Sequence, residues 1–580
     1  MARTTTEPCW VLTCTTSQPL PATQSSAADI QANLASWEEA RATVIAALAA
    51  DPSEEIGPDS GFAAVGDDPQ LFPRGIITSA GGEFSLAGYQ PVAPVIQPPT
   101  PEIAPALENL ALLEQGLANL GGAAAAQALE AVTRNAPFTA GGATSSEIKA
   151  MAPTDLAGAL QESTTLQSVD VQRRSPVALD PHIRGYKSGQ IYSQADGAFW
   201  TPARLDLDTM LNKIDPGMVQ SVAVIPGPYG LRYGPGLAFI DVQRAPTPRS
   251  ECFSADYDSS VAVRSNGGQF YGRETVTGGG SNYGLRASYG ARLGSDYTAG
   301  NGLKIPSSYR NQDIWAEYSY DINPYQRVDV SYMRYDQGFT EYPCEFFNVN
   351  DLNTYGLNIR LVDTDPSAPW TQLSMEGWYN QTSFQGDTAF KRLTNFPELQ
   401  RVDYSMHNEF GGAGNTVTGS TDGNVFSSGA RAGVTFGDPD ATHLNVGADF
   451  RYLGQRINEY FDVANVPAWP YPTAFNTNMP RAWSADPGTY AEWSHPVNDM
   501  WTIKVGARAD FVWTMARASD VRPDGYIIDY IDDLEQYDTL YAFYYTNQWK
   551  LDDHWTLSGG FGHGQRPPTL IERYADGLFL

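Results

Sequence analysis

Apolar and polar residues alternate with a period of two from about residue 255 onward. The clearest example runs from Trp501 to Trp513: every odd-numbered residue is apolar, and the even-numbered residues up to Asp510 are Thr, Lys, Gly, Arg and Asp. This alternation predicts a β-strand with one apolar and one polar face. Weaker copies of the pattern occupy 355–361, 372–379 and 444–452.

The length of the Trp501–Trp513 segment indicates a membrane-spanning strand. At about 3.3 Å per residue it spans about 40 Å, and a tilt of about 40° reduces this to about 30 Å, the thickness of a bilayer's hydrocarbon core. Both ends of the apolar face are tryptophan, as in the aromatic girdles of outer-membrane strands. Strands of soluble proteins are usually only about five or six residues long.

The connections between these segments alternate between short turns and long loops, as in up-and-down barrels with turns inside the cell envelope and loops outside. The short ones are 323–324, 363–369, 437–440, 496–499 and 552–553, and the long ones are 292–309, 337–353, 381–425, 455–482 and 517–537.

Composition divides the chain into three parts. Residues 1–137 are an Ala/Pro/Gly-rich extension, which we expect to be partly helical or disordered. Residues 138–247 have the pattern of a compact α/β domain, and residues 248–580 that of the long strands. No apolar stretch is long enough for a transmembrane helix, and residues 1–24 lack the pattern of a signal peptide.

The charge excludes one class of partner. With 37 Lys+Arg and 66 Asp+Glu the formal net charge is −29, which argues against binding nucleic acid. The four cysteines are too scattered for a disulfide framework or a zinc site. Cys252 and Cys344 could form one bridge in an oxidising compartment, although two unrelated thiols are the favoured interpretation.

Three motifs resemble those of the TonB-dependent outer-membrane receptors, in the order found in that family. Residues 181–186 (PHIRGY) are similar to the Ile-Arg-Gly motif of the plug domain, and 222–236 (VAVIPGPYGLRYGPG) to its later strand-turn signature. Residues 562–574 (GHGQRPPTLIERY) resemble the barrel motif R-x-P-T-x-x-E-x-Y. The matching positions are Ile183, Arg184, Gly185, Gly227, Pro228, Tyr233, Gly234 and Gly236 in the plug, and Arg566, Pro568, Thr569, Glu572 and Tyr574 in the barrel.

The resemblance implies a β-barrel of about 22 strands around an N-terminal plug. It also implies an outer-membrane receptor that binds a scarce extracellular ligand, such as a siderophore, cobalamin or a glycan, and imports it. The partners would be outer-membrane lipid and an inner-membrane energy-transducing complex. The motif that would contact this complex has no convincing match, the nearest string being 129–134. The competing hypothesis is an extracellular β-rich binding or adhesion protein without transport.

The resemblance gives the plug arginines a role. We expect Arg184 to lie buried against the polar barrel lumen, paired with a carboxylate. The family's second plug arginine is replaced here by Pro226, and Arg232 or Arg204 could supply the missing charge. Residues 151–169 look like the opening helix of the plug.

The candidate ligand contacts are Tyr192, Phe199 and Trp200, which follow the first motif and have side chains suited to stacking on a sugar or chelate ring. Packing against the barrel wall is an equally good interpretation. No catalytic residues and no cofactor motif are visible in the sequence. The six histidines show no pair at metal-ligand spacing. The acidic residues of 524–535 lack EF-hand spacing and are best interpreted as a solvated loop.

The predicted fold class is mainly β: an incomplete antiparallel transmembrane barrel of about 13 strands, out of about 22 in the family, with an N-terminal α/β plug. The thirteen predicted strands are 257–266, 269–279, 283–291, 311–321, 326–336, 354–363, 370–380, 426–436, 442–454, 487–495, 499–514, 538–549 and 554–564. An odd number of strands ending within a loop cannot close such a barrel. We therefore expect a truncated or wrongly bounded gene product that lacks about nine strands and a signal peptide.

Overall fold

A computed structural model describes residues 11–14, 140–388 and 418–575, apart from 152, 154, 164–168, 176, 205–207, 344–346, 439–440, 463–474, 521–533 and 553. Most of these residues belong to one large antiparallel sheet, which we call the wall. Its thirteen long strands are β9 (Ser254–Arg264), β10 (Gln269–Gly279), β11 (Tyr283–Gly294), β14 (Tyr309–Asn323), β15 (Gln326–Gln337), β17 (Asn348–Asp363), β18 (Gln372–Asp387), β19 (Thr418–Gly437), β20 (His443–Asp462), β21 (Phe475–Asn498), β22 (Trp501–Ala516), β23 (Glu535–Lys550) and β24 (Thr556–His563).

Each long strand of the wall pairs antiparallel with the next along the chain. All thirteen correspond to the thirteen predicted strands. A short strand, β1 (Val11–Cys14), pairs with the outer edge of β9. Three two-residue strands, β12 (Tyr297–Thr298), β13 (Lys304–Ile305) and β16 (Thr340–Glu341), lie in the longer connections.

The observed strands extend further into the long loops than the sequence pattern indicates. The largest difference is in β21, which has 24 residues where the prediction covers 487–495. Pro480 and Pro487 interrupt the pattern there, because proline removes a hydrogen-bond donor and marks strand edges or irregular positions. The ladder between β20 and β21 shifts register beside Ile457 and then continues.

The two faces of the wall have opposite chemistry, as β22 shows. Lys504, Arg508 and Asp510 are buried, whereas Phe511 and Trp513 are exposed on the other face. The polar face therefore points inward and the apolar face outward, which reverses the arrangement of a soluble sheet and matches that of a strand surrounded by lipid. The described residues contain no helix long and apolar enough to cross a membrane.

The predicted α/β segment, residues 138–247, which we call the plug segment, lies against the inner face of the wall. It contains a five-stranded sheet with the order β2–β7–β8–β5–β6 and a separate hairpin, β3–β4. These strands are β2 (Gly141–Thr144), β3 (Val169–Ser175), β4 (Ala178–Ile183), β5 (Tyr192–Ala195), β6 (Ala198–Trp200), β7 (Val219–Pro226) and β8 (Ala238–Arg244). Its core includes Leu156, Ile183, Ile225, Phe239 and Ile240, all essentially inaccessible to solvent.

The helix expected over 151–169 is shorter in the structure, where it begins at Leu156. The structure has two short helices, α1 (Ser145–Met151) and α2 (Leu156–Glu162), followed by α3 (Met210–Lys213). Pro153 separates the first two, since proline disfavours helical geometry in the residue before it. Asp155 then begins α2 by accepting a hydrogen bond from the Gly158 amide, and Arg173 pairs with its carboxylate at 2.6 Å.

Beyond β24 the chain turns inward and forms a last short helix, α4 (Leu570–Tyr574). Thr569 and Glu572 form a capping box at its start, each side chain binding the other residue's backbone amide. Leu570 and Tyr574 pack with Ile457, Met479 and Ala482 in a small apolar cluster. The predicted barrel motif thus contains the first turn of a helix that packs on the wall.

Candidate functional site

The contact between the plug segment and the wall centres on a buried aspartate. Asp215 follows α3 and lies 2.9 Å from Nε of Arg273 and 2.8 Å from Nη2 of Arg292, both from the wall. The Tyr271 hydroxyl donates to the same carboxylate at 3.0 Å, and the Gly217 amide donates at 2.8 Å. Burial alone would raise the pKa of Asp215, but the two arginines outweigh it and hold the pKa below its usual value.

Arg431 of the wall binds several groups of the plug segment at once. Its guanidinium donates to the carbonyl of Tyr233 at 2.6 Å, to Oε1 of Gln194 at 3.1 Å and to the Tyr192 hydroxyl at 3.3 Å. Glu376 lies 3.6 Å from Arg431 on the neighbouring wall strand. A single buried arginine therefore binds two separate parts of the plug segment: β5, through the side chains of Tyr192 and Gln194, and the turn at Tyr233, through its carbonyl.

Another wall arginine, Arg508, lies between two carboxylates. Its guanidinium contacts Asp449 at 2.8 Å and Asp510 at 2.5 Å, and it also donates to the Leu231 carbonyl of the plug segment at 3.0 Å. Next to it, Arg232 of the plug segment pairs with Glu492 of the wall at 2.9 Å. The Tyr544 hydroxyl donates to the same glutamate at 3.2 Å.

Neutral side chains of the wall make further hydrogen bonds to plug carbonyls. Asn358 donates to the carbonyl of Asp196 and Asn380 to that of Phe199, both at 2.8 Å. Gln455 reaches the Ala203 carbonyl at 3.0 Å. In the opposite direction, Lys213 of the plug segment donates to Thr382 at 2.9 Å. The contact is therefore polar along much of its length, unlike the core of a sandwich.

Comparison with known proteins identifies the segment that makes these contacts. Residues 132–238 match the family model described as "TonB-dependent Receptor Plug Domain". The chain carries the plug domain of a TonB-dependent receptor. A search of curated proteins found no match.

Solved structures of this receptor class have the same fold. The copper transporter OprC is 18% identical, with a TM-score of 0.61 over 74% of this chain and 64% of its own. The FrpB iron transporter from Neisseria meningitidis is 14% identical (TM-score 0.54; 76% and 66% covered). The hemophore receptor HasR from Serratia marcescens is also 14% identical (TM-score 0.55; 76% and 65% covered). The chain thus spans about two thirds of the length of these receptors.

Arg184 does not have the environment expected of a TonB-dependent receptor plug arginine. It is exposed, with φ of 50°, and Gly185 beside it has φ of 87°. Ile183 and Tyr186 close this two-residue turn with a pair of backbone hydrogen bonds. Positive φ at both central positions is the geometry of a type I′ turn. The expectation of a buried arginine paired with a carboxylate is therefore wrong.

Arg232 and Arg204, the two arginines that could replace the missing motif arginine, have different environments. Pro226 ends β7 without a side chain able to form an ion pair, and Arg232 pairs with Glu492 six residues later. Arg204, the other candidate, is buried with its guanidinium 4.9 Å from the ring centroid of Phe347. Of the two arginines that could supply the missing charge, Arg232 thus forms an ion pair with the wall.

Two signature glycines occupy backbone positions that suit glycine. Gly227 has φ of 92° and Gly234 has φ of 151°. A Cβ atom on Gly234 would lie 2.1 Å from the Tyr192 ring, so the ring packs directly on the backbone. Gly236 lies beside Tyr192 and Phe239 in the same turn. The signature thus shapes a turn around Tyr192.

The candidate ligand contacts Tyr192, Phe199 and Trp200 are all buried. The rings of Tyr192 and Phe199 lie 4.6 Å apart, and the Arg451 guanidinium lies over both, at 5.0 and 4.4 Å from their centroids. Trp200 lies near Gly356 of the wall. In this state the three rings pack against the wall, the second of the two interpretations that the sequence left open.

The barrel motif residues hold the C-terminal segment to the plug. Arg566 pairs with Glu572 at 2.7 Å, and Gln190 of the plug segment donates to the same carboxylate at 2.8 Å. Tyr574 donates to the Leu534 carbonyl at 2.9 Å. These contacts hold the Glu572 pKa at about 2: burial raises it, but the hydrogen bonds from Arg566, Gln190 and the Thr569 amide outweigh that effect.

Sequence reasoning missed the residues that hold the plug: Asp215, Arg273, Arg292, Arg431 and Arg508. The available signal was a charged residue on the polar face of a predicted strand, as at Arg508. Within the described residues no three His, Cys, Asp or Glu side chains are grouped so as to hold a metal ion. Most of the acidic loop 524–535 lies outside the described residues, as does Cys344.

Proposed function

We propose that this chain is an outer-membrane receptor that binds a scarce extracellular ligand and imports it when the plug moves away from the wall. The observation that carries the proposal is the polar contact between plug and wall, in which wall side chains such as Arg431 and Asn380 bind plug carbonyls. Water can replace each of these partners, so a hydrogen bond of this kind contributes only about 1 kcal/mol net. When the contact opens, water can therefore take over these hydrogen bonds on both sides.

The outward face supports a membrane location over the competing adhesion hypothesis. Residues such as Leu357, Ile359, Phe511 and Phe561 are largely exposed on it. Exposed apolar area of this extent suits lipid, because a soluble monomer rarely leaves contiguous apolar patches of more than a few hundred Å². An adhesion protein would need a second sheet or partner to cover this face.

The proposed ligand is a metal ion or metal chelate, since the similar structures are titled as copper and iron transporters and as a hemophore receptor complexed with heme. Tyr192, Phe199 and Trp200 become candidate contacts in the state that follows plug movement, in which their rings leave the wall. We also retain as proposals the domain limits at 137 and 247, and an inner-membrane energy-transducing complex as the partner that moves the plug.

The test combines localisation with uptake. Membranes from cells expressing the full chain are fractionated, and gel migration is compared with and without heating. We expect a heat-modifiable band in the outer-membrane fraction. Those cells are then given labelled copper, ferric siderophores, heme or cobalamin, with and without a protonophore. Accumulation of one of these compounds that requires both the protein and the proton gradient supports the proposal. A product found only in the soluble fraction, or uptake unaffected by the protonophore, contradicts it.

A further inference from the structure

The outward face of the wall carries a continuous row of aromatic rings that crosses β18 to β23, which we call the upper aromatic row. Successive ring centroids lie 6.3 Å apart from Tyr379 to Phe426, 5.7 Å from Phe426 to Tyr452 and 6.0 Å from Tyr452 to Trp483. The row continues through Trp513 to Tyr537. At the opposite end of β22, Trp501 stacks on Trp549. Aromatic rings at two levels mark the two edges of a hydrocarbon layer.

A cavity of about 550 Å³ opens outward at the upper aromatic row. We call it the outer groove. Phe426, Tyr452, Trp483 and Met515 form its apolar floor, and Arg456, Arg481 and Arg517 line its rim. Gly454 makes room in the floor, because a Cβ atom there would lie 2.3 Å from the Phe426 ring. Residues of the same strands that point the other way, such as Val425 and Ile457, are buried on the inner side.

The three rim arginines present their guanidinium groups to the surroundings. Their side chains are 46% (Arg456), 52% (Arg481) and 56% (Arg517) exposed. Asp422 lies 3.7 Å from Arg456, while Asp520 binds Arg481 at 2.6 Å and lies 4.0 Å from Arg517. Among the described residues that line the groove, three are arginines and none is acidic, so this lining is positive in a chain whose formal net charge is −29.

The position of this charge identifies its partner. The floor lies at the level where the hydrocarbon ends, and the rim lies one step further toward the long loops, at the level of the headgroups. An amphipathic molecule with acyl chains and a phosphorylated headgroup matches both parts. Guanidinium groups bind phosphate oxygens through pairs of parallel N–H donors, and a basic residue at a membrane surface attracts anionic lipid.

We propose that the outer groove binds a phosphorylated lipid of the surrounding leaflet, with its headgroup phosphate on Arg456, Arg481 and Arg517 and an acyl chain along Phe426, Tyr452 and Trp483. The inference rests on the membrane location in the proposed function. It adds a specific lipid site, on the face away from the plug and independent of the transported ligand. The bound lipid would link β19, β20, β21 and β22 at the level of the upper aromatic row.

The test uses the full chain in phosphatidylcholine nanodiscs, with diphosphorylated lipid A as the probe and native mass spectrometry as the readout. Arg456, Arg481 and Arg517 are changed together to Gln. The matched control changes Arg264, Arg310 and Arg334 to Gln, which removes the same charge from exposed arginines near the same end of other strands. We expect the groove variant to bind lipid A at least about tenfold more weakly than the unmodified chain. The control variant should bind lipid A within about twofold of the unmodified chain.

Two further measurements separate the possible sources of phosphate. Trp483→Ala removes part of the floor and should also weaken lipid A binding, whereas excess inorganic phosphate or a headgroup without acyl chains should not displace the lipid. Equal loss in the groove and control variants overturns the proposal, as does full displacement by inorganic phosphate. Unchanged binding in the groove variant also overturns it. Failure to insert into membranes instead contradicts the proposed function, and heat-modifiable migration of every variant detects this separately.

Discussion

Arg232 of the plug segment and Glu492 of the wall form an ion pair at 2.9 Å, with the glutamate side chain only 3% exposed. The pair connects two parts of the chain 260 residues apart. It provides a plug-to-wall charge contact in a chain whose plug motif has Pro226 in place of arginine. Because the contact is buried, replacing the arginine alone leaves a buried carboxylate, whereas replacing both side chains does not.

Replacing Arg232 with Gln should therefore destabilise the folded protein by about 3 kcal/mol, because Glu492 stays buried and loses its arginine partner. The double variant R232Q/E492Q should recover a large part of this loss. Urea unfolding in detergent, analysed as a double-mutant cycle, measures both values. Arg334→Gln, which breaks an exposed pair with Asp336, is the control and should cost under about 1 kcal/mol. Additive effects of the two single changes would contradict the proposed coupling.

Asp215→Asn should loosen the plug without preventing insertion. The change leaves Arg292 without its carboxylate, whereas Arg273 keeps Asp313 at 2.7 Å. Two buried guanidinium groups then repel each other, so we expect more frequent opening of the plug–wall contact. The readout is ion conductance in planar bilayers, expected to rise several-fold over the unmodified chain. Asp365→Asn, in an exposed turn between β17 and β18, is the control. Identical conductance for all three proteins would show that Asp215 does not hold the plug.

The sequence predicted the wall better than it predicted the contacts of the plug. The alternation at Trp501–Trp513 is local, so every wall strand and both faces of β22 could be read from neighbouring residues. The partners of Asp215 are 58 and 77 positions away, and no local pattern connects them. Arg184 shows the reverse error: its motif was recognised, but the residue lies exposed in a tight turn with positive φ.

Asp241 should make the stability of the folded protein depend on pH. Burial raises its pKa from 3.8 to about 6, although Gln194 and Gln243 donate hydrogen bonds to it. Between about pH 4 and 6 the folded state holds a proton that the unfolded chain has released. Asp241 therefore makes stability fall as pH rises through this range, by about 3 kcal/mol in total. Asp241→Asn should remove this slope and stabilise the protein at pH 7. Unfolding free energies measured from pH 4 to 7 in both proteins test this; parallel curves would contradict it.

Gly197→Ala should strain the contact between the plug segment and the wall for two separable reasons. Gly197 has φ of 84°, and an added Cβ would lie 1.7 Å from Oε2 of Glu376. An unfavourable positive φ for alanine costs about 1 kcal/mol or more, and the steric clash adds to it. The double variant G197A/E376A shortens the wall side chain. It should relieve the steric clash but keep the free-energy cost of the positive φ at alanine.

The control for this pair is Gly300→Ala, because a Cβ atom at Gly300 would meet open space and its φ is not positive. Thermal unfolding in detergent should therefore order the four proteins, with the unmodified chain and G300A nearly equal and G197A lowest. Glu376 also pairs with Arg431, so the single variant E376A is measured alongside to separate the loss of that ion pair from the relief of the clash. If G197A matched the unmodified chain, the close approach of Gly197 to the wall would be wrong.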